Sequence, residues 1–589
     1  MFGTRNGKNN NKATKPKETI KRIWNYLQEE KKPIIVVIIM VVLSTIISVL
    51  SPVLILIAID EFIAQGQLQS LETLLILLAI VYFLTSLLNY LSGFLMVSVS
   101  ERALYKLRRD LFNHLEKLSL KFFDKNKKGD LMSRFTNDIT VISETLSDVV
   151  IQVINSVLIL IGVGIIMFII NPLLALTTII TVPLFFFIVL KIGERVGRYY
   201  KDRQDVLGSL NAYAEERISG IEVVKSHGKE DESIEKFMVH NSRLKEASIR
   251  AQLYSSLIMP TNIAIGNITS ILLISVGALL TINGKATVGS ILAFLTYSKM
   301  FNRPVTQLAT IYSSIQSAIA GAERIYDIID HPIEVTDAKD AISINKIKGD
   351  VEFKNVNFGY LKEELVLKNF NLKVKSGEQI ALVGPTGAGK TTIINLLSRF
   401  YDLNSGVITI DGKDISKIKI ADLRKTTGIV LQDTHLFKGT VFDNIRYSKL
   451  DATLEEVIEA CEKSQAHSFI RRLPDGYYSE VEEEGSNFSQ GQRQLISIAR
   501  AILADHEILI LDEATSNVDT RTEIAIQKGM KKLMEGKTSF VIAHRLSTIE
   551  KSDKIIVINN GEIVESGKHA HLIDQKGFYY NLYKSQFDN

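Results

Sequence analysis

Residues Gly384-Pro385-Thr386-Gly387-Ala388-Gly389-Lys390-Thr391 follow the pattern G-x-x-x-x-G-K-[ST], whose residue types suit the holding of a chain of phosphates. Its glycines allow backbone N–H groups to close around phosphate oxygens, and a helix starting there adds the positive end of its dipole. Lys390 can reach the β- and γ-phosphates, and the Thr391 hydroxyl can ligate Mg²⁺. Downstream, Glu507-Ile508-Leu509-Ile510-Leu511-Asp512-Glu513 places two carboxylates at the end of an apolar run. Asp512 is suited to the Mg²⁺ shell, and Glu513 to polarising an attacking water.

These groups need a strand before the glycine loop and a helix after it, and the sequence supplies both: QIALV precedes Gly384 and TIINLLSRF follows Thr391. From Gly349 onward short β-type runs (VEFKNVNF, LVLKNFNLKV) alternate with turn residues, and ILIL reads as a buried parallel strand. An α/β domain is expected over 349–589.

The rest of the chain differs in kind. Its 589 residues are too many for one core. A mean hydropathy of +0.14 reflects long apolar runs before about Leu295. Six of these, 34–59, 74–98, 149–170, 173–190, 256–282 and 287–311, meet or approach the roughly 20 residues that cross a bilayer as a helix. Pro52, Pro183 and Pro260 fall inside them as tolerated kinks. The segment between the first two spans has no Lys or Arg, whereas the next carries Arg102, Lys106, Arg108, Arg109, Lys117 and further cations, and 191–254 is also charged. The positive-inside rule therefore puts both long segments and both termini in the cytoplasm. Leu104, Leu107, Leu111, Leu115 and Leu118 keep helical spacing, so spans two to five should run on as amphipathic helices that reverse near 124–130 and 215–220.

The basic start predicts a solvated tail and a membrane-surface helix around 19–27, and the run after it is too long for a secretory signal core. The resulting division is 1–30 tail and surface helix, 31–326 six-span domain, 327–348 linker and 349–589 α/β domain. Lys299 and Arg303 are the exceptional charges in the spans. Such residues are functional suspects, although snorkelling to the interface is the plainer reading. A net charge of +4 is too small to argue for nucleic acid. The single cysteine, Cys461, forms no intrachain disulfide and reads as a packing residue in a reducing compartment.

Between the two phosphate motifs stands Asn487-Phe488-Ser489-Gln490-Gly491-Gln492-Arg493-Gln494. With it, nearly the whole chain resembles the ATP-binding cassette exporters in which membrane and nucleotide domains are fused. The resemblance implies a six-helix transmembrane domain plus a P-loop ATPase domain, with ATP and Mg²⁺ as cofactors. It also implies that Ser489, Gln490, Gly491 and Gln492 form the signature on the γ-phosphate of ATP held by the opposite chain. Tyr360 in FGY would stack on adenine, and Thr392 would join the phosphate loop 384–391. Gln432 would sense Mg²⁺ and serve catalysis beside Glu513 and the switch histidine His544, while Thr391, Gln432 and Asp512 would hold the metal. Ser516-Asn517-Val518-Asp519 would cross the dimer interface. Segments 124–138 and 211–230 resemble the two coupling helices.

Two departures stand out against the family's usual L-S-G-G-Q and G-E-R-G. Gln490 replaces a glycine, and Glu484 in Glu482-Glu483-Glu484-Gly485 replaces an arginine. Such changes resemble subunits of heterodimeric exporters, so a different partner chain is expected and a homodimer is the alternative. The expected activity is ATP-driven export of hydrophobic or amphipathic compounds, as in drug efflux, by a multi-pass protein of the cytoplasmic membrane. A lipid flippase of the same build is the nearest rival, and a non-transporting regulator the more distant one. Six spans exclude a DNA-working relative of these ATPases.

Overall fold

A computed structural model describes residues 15–587 apart from 334, 362–363, 433, 514–517 and 544–548. It divides into two units: Met1–Glu116 with Lys128–His331, and Lys117–Lys127 with Pro332–Asn589.

The first unit is helical. Each of the six apolar stretches lies in a helix: Lys31–Ile57, Leu68–Leu115, Val150–Ile170, Pro172–Ser219, Ile258–Ile282 and Val288–Ile329. Among the described residues, four uninterrupted helical stretches are long and apolar enough to cross a membrane: Pro16–Ile63, Gln69–Leu115, Lys128–Ile170 and Glu230–Ile282. Phe83, Ile169 and Ile282 are largely exposed, which lipid accepts and water would not. The second and fourth helices have 48 residues each. At 1.5 Å per residue that is about 70 Å, more than twice the hydrocarbon thickness. Near the fifth span the sequence places one apolar run from 256, but the helix Glu230–Ser256 stops at Leu257 and restarts at Ile258. Pro260 has no N–H to give the Ser256 carbonyl, so the ladder breaks there.

The short turns are tied by side chains. Asn171 accepts from the N–H groups of Leu173 and Leu174 and donates to the Lys285 carbonyl at 2.9 Å. Asp60 accepts from Gly289 N at 2.8 Å and from the Thr287 hydroxyl, capping the sixth helix. Between these turns and the long-loop end, Val163, Met167, Leu174, Phe294 and Tyr297 form a buried core, and the Tyr297 hydroxyl donates to the Val49 carbonyl at 2.7 Å. Toward the long-loop end Arg324 forks onto buried Asp138 at 2.9 and 2.5 Å. The surface helix forms over Pro16–Leu27, and its Arg22 forks onto Asp330 and lies 3.9 Å from the centre of the Tyr326 ring.

The second unit is α/β. An antiparallel sheet runs Leu367–Val374, Val351–Phe358, Ser405–Ile410, Lys413–Asp414. A six-stranded sheet runs Glu562–Gly567, Lys554–Asn559, Gln379–Val383, Thr538–Ala543, Ile508–Glu513, Thr427–Val430, parallel except for its first edge strand. Apolar residues of both sheets and the helix Lys390–Leu397 fill one core; the other face of the large sheet packs on a helical layer that includes Gln490–Ala504 and Thr520–Met534.

Candidate nucleotide-binding site

In an open parallel sheet the carboxyl ends of neighbouring strands form one ligand-facing edge. Here the strand Thr538–Ala543 lies between Gln379–Val383 and Ile508–Glu513, with Ile542 opposite both Leu382 and Asp512 and Ala543 opposite Glu513. Thr427–Val430 flanks the other side, with Val430 opposite Leu511. The register alone thus brings the glycine loop, Asp512, Glu513 and the exposed Gln432 to one edge. His544, which follows Ala543, lies outside the described residues, as do Ser516 and Asn517.

The loop is built on close approaches. A Cβ on Gly384 would lie 2.2 Å from the Ile558 carbonyl oxygen, and one on Gly389, whose φ is +105°, 2.8 Å from Leu367 Cδ2. Gly387 has φ +84° and open space where a Cβ would project, so the loop keeps a clear face between Pro385, Thr386 and Ala388. Lys390 and Thr391 open the helix, where first-turn N–H groups have no intrahelical acceptor. The Lys390 ammonium donates to the carbonyls of Gly384 at 2.7 Å and Pro385 at 3.0 Å. Burial pulls its pKa below the ordinary lysine value, against the opposing pull of Asp512. Thr391 is exposed at the first turn, whereas Thr392 is buried and its hydroxyl lies 3.3 Å from that of Tyr360.

Tyr360 is held from two sides. Asn395 donates to its hydroxyl at 3.3 Å, and its ring meets those of Phe358 and Tyr401 edge-on, with centroids 5.1 and 5.2 Å away. A cavity of about 540 Å³ opens beside it, lined also by Lys121 and Asn404. Tyr401, which the sequence reading passed over, donates to Asp124 at 2.5 Å. Its one available signal is an aromatic in the polar turn that ends the phosphate-loop helix.

Ser489 to Gln492 stand on a different element, the start of the helix Gln490–Ala504. Ser489 caps it reciprocally: its hydroxyl accepts from Gln492 N and its own N–H donates to Gln492 Oε1 at 2.9 Å. Gly491 packs on the start of the helix Thr520–Met534, where a Cβ would lie 2.4 Å from Thr522 Cγ2 and 3.0 Å from Val518 Cγ1. Packing therefore demands glycine at 491, and the neighbouring Gln490 is only partly buried. Asp519 caps that second helix by accepting from Thr522 N at 3.0 Å, and this bond pulls its pKa below the ordinary value. Glu484 is exposed with φ +56°, a left-handed conformation rare outside glycine.

The family models that match are the ABC transporter transmembrane region over residues 34–305 and the ABC transporter domain over residues 367–516. An uncharacterized ABC transporter ATP-binding protein of Bacillus subtilis is 45% identical, over 98% of this chain and 96% of that one. The chain belongs to the ABC transporters. A fatty acid ABC transporter ATP-binding/permease protein of Mycobacterium bovis is 40% identical, over 87% of this chain and 81% of its own length. The solved structure of a bacterial Atm1-family ABC exporter with ATP bound superposes with a TM-score of 0.78 at 30% identity, covering 95% of this chain and 98% of that one. This ABC exporter is thus an ATPase coupled to transport, a membrane protein and one half of a dimer.

Proposed function

We propose that the chain hydrolyses ATP with Mg²⁺ to export hydrophobic or amphipathic compounds across the cytoplasmic membrane, with both termini in the cytoplasm. The observation that carries this reading is the shared sheet edge of the glycine loop, Asp512, Glu513 and Gln432, fused in one chain to six spanning helices. Thr391, Asp512 and Gln432 suit a metal that arrives with the phosphates. Mg²⁺ is commonly bound by one or two carboxylates plus substrate phosphate, and among the described residues no cluster of three carboxylate, His or Cys groups forms a cage. Glu513 orients the attacking water, His544 contacts the γ-phosphate and Tyr360 stacks on adenine. Ser489 to Gln492 and Asp519 face the nucleotide held by the partner.

The partner is a different chain. Gln490 and Glu484 alter the signature face, while the phosphate-binding face keeps Lys390, Asp512, Glu513 and His544. The complete site would pair this chain's phosphate loop with the partner's signature. Expression of this chain alone, in membranes lacking close relatives, tests it. Inactivity cured by one co-expressed relative is expected; robust ATPase and dye efflux from a two-fold symmetric dimer overturns the heterodimer. Lipid crossing between leaflets without efflux would make the protein a flippase.

A further inference from the structure

The spanning helices enclose a polar cavity of about 430 Å³. It lies between the helices Leu68–Leu115, Val150–Ile170 and Val288–Ile329, with Asn89, Asp148, Gln152, Asn155, Arg303 and Gln307 among its walls. Arg303 is 15 residues beyond Val288, about 22 Å along the helix from the short-turn end. In a hydrocarbon layer about 30 Å thick that is the half toward the long loops, the inner leaflet under the topology proposed above. Lys299, one turn earlier, does not line it.

Polar groups at that depth are costly unless they serve a path or a ligand. Arg303 and Asp148 are the ionisable residues of the lining, so its formal charge is zero with both signs present. A purely anionic head group gains from Arg303 and meets repulsion from Asp148; a purely cationic one meets the reverse. A head group carrying both signs satisfies both. The carboxamides add donors and acceptors between them. The Thr45 hydroxyl donates to Asn155 Oδ1 at 2.9 Å, which fixes that amide and leaves its NH₂ to donate. Pro304 in the same wall denies the Met300 carbonyl its helical donor, leaving an acceptor suited to an ammonium. Gly93, also in the wall, has open space where a Cβ would project.

We infer that this cavity receives the head group of a zwitterionic amphiphile, its anionic group on Arg303 and its cationic group on Asp148, with the tail in the inner leaflet. The assignment rests on the export reading for its meaning but not for its test. The assembled transporter is reconstituted, and half-saturating concentrations are measured for dodecylphosphocholine, dodecyl phosphate and dodecyltrimethylammonium, which share one tail. The zwitterion should bind about ten-fold more tightly than either singly charged head. Arg303→Gln should bring the cationic head level with the zwitterion, and Asp148→Asn should do the same for the anionic head. Equal affinities in the unaltered protein, or both variants weakening all three heads by one factor, would overturn the assignment. So would tail-less glycerophosphocholine competing as well as dodecylphosphocholine. Selective binding without ATP-driven movement in inverted vesicles supports the cavity and overturns export; movement without selectivity does the reverse.

Discussion

The Tyr401 hydroxyl donates to the Asp124 carboxylate at 2.5 Å, although the two residues stand 277 positions apart. Tyr401 also meets the Tyr360 ring at 89°, so the first long loop is one aromatic contact from the proposed adenine platform. Tyr401→Phe and Asp124→Asn should each reduce export more than ATP hydrolysis, with ATP affinity nearly unchanged. A double-mutant cycle on unfolding of the nucleotide unit should return a coupling of about 1–3 kcal/mol, the range for a hydrogen bond to a charged group. Equal losses of export and hydrolysis would show that the pair merely stabilises.

Glu513→Gln should leave ATP binding intact while turnover falls by about 10²–10⁴, the usual contribution of a positioned general base. Lys390→Ala should act differently, weakening ATP affinity itself by deleting charge-assisted contacts. Equilibrium binding of a fluorescent nucleotide, set beside phosphate release, separates the two effects. Hydrolysis by Glu513→Gln near the unaltered rate would remove Glu513 from its proposed role.

The two central signature positions should part company. Gly491→Ala forces a methyl against Thr522 and Val518 and should cost about 1–3 kcal/mol by overpacking. Thr522→Ser removes the nearer methyl and should restore much of that loss. Gln490→Gly should leave stability within about 1 kcal/mol. Thermal unfolding of the purified protein reads all three.

Cys461 sits fully inside the core of the nucleotide unit, and burial pushes its thiol from an ordinary value near 9 up to about 12. A folded pKa raised above the unfolded one means stabilisation that is complete below pH 9 and declines as pH rises toward 12. Native protein at pH 9 should therefore resist a thiolate-selective reagent, and labelling should appear with unfolding. Rapid labelling of native protein would contradict the burial.

Much of this was legible because the determinants are local. A phosphate loop needs a strand, glycines and a helix within about twenty residues, and all three lie in one stretch around Gly384. Spanning helices announce themselves by length and apolarity. What escaped was what distant segments do to one another. Residues 124–138 read as one coupling segment, yet Lys117–Lys127 joins the nucleotide unit while Lys128 onward stays with the membrane helices. Nothing near Asp124 signals Tyr401, and nothing near Gly491 signals Thr522. Asp519 is a different case: an Asp ahead of a helical run is a cap signal, and the structure uses it as one.

The two 48-residue helices are unequal as mechanical parts. Leu68–Leu115 has no proline, whereas Pro172–Ser219 carries Pro183 about a quarter of the way along. A straight rod of about 70 Å that tilts by roughly 5° carries its far end about 6 Å. The first helix, whose chain continues directly into Lys117–Lys127, can pass such a tilt undiminished as a lever. The second has a flexible joint where the proline interrupts its ladder, so the same push is partly absorbed as bending. Force delivered through the first long loop is amplified across the bilayer, and force delivered through the second is cushioned.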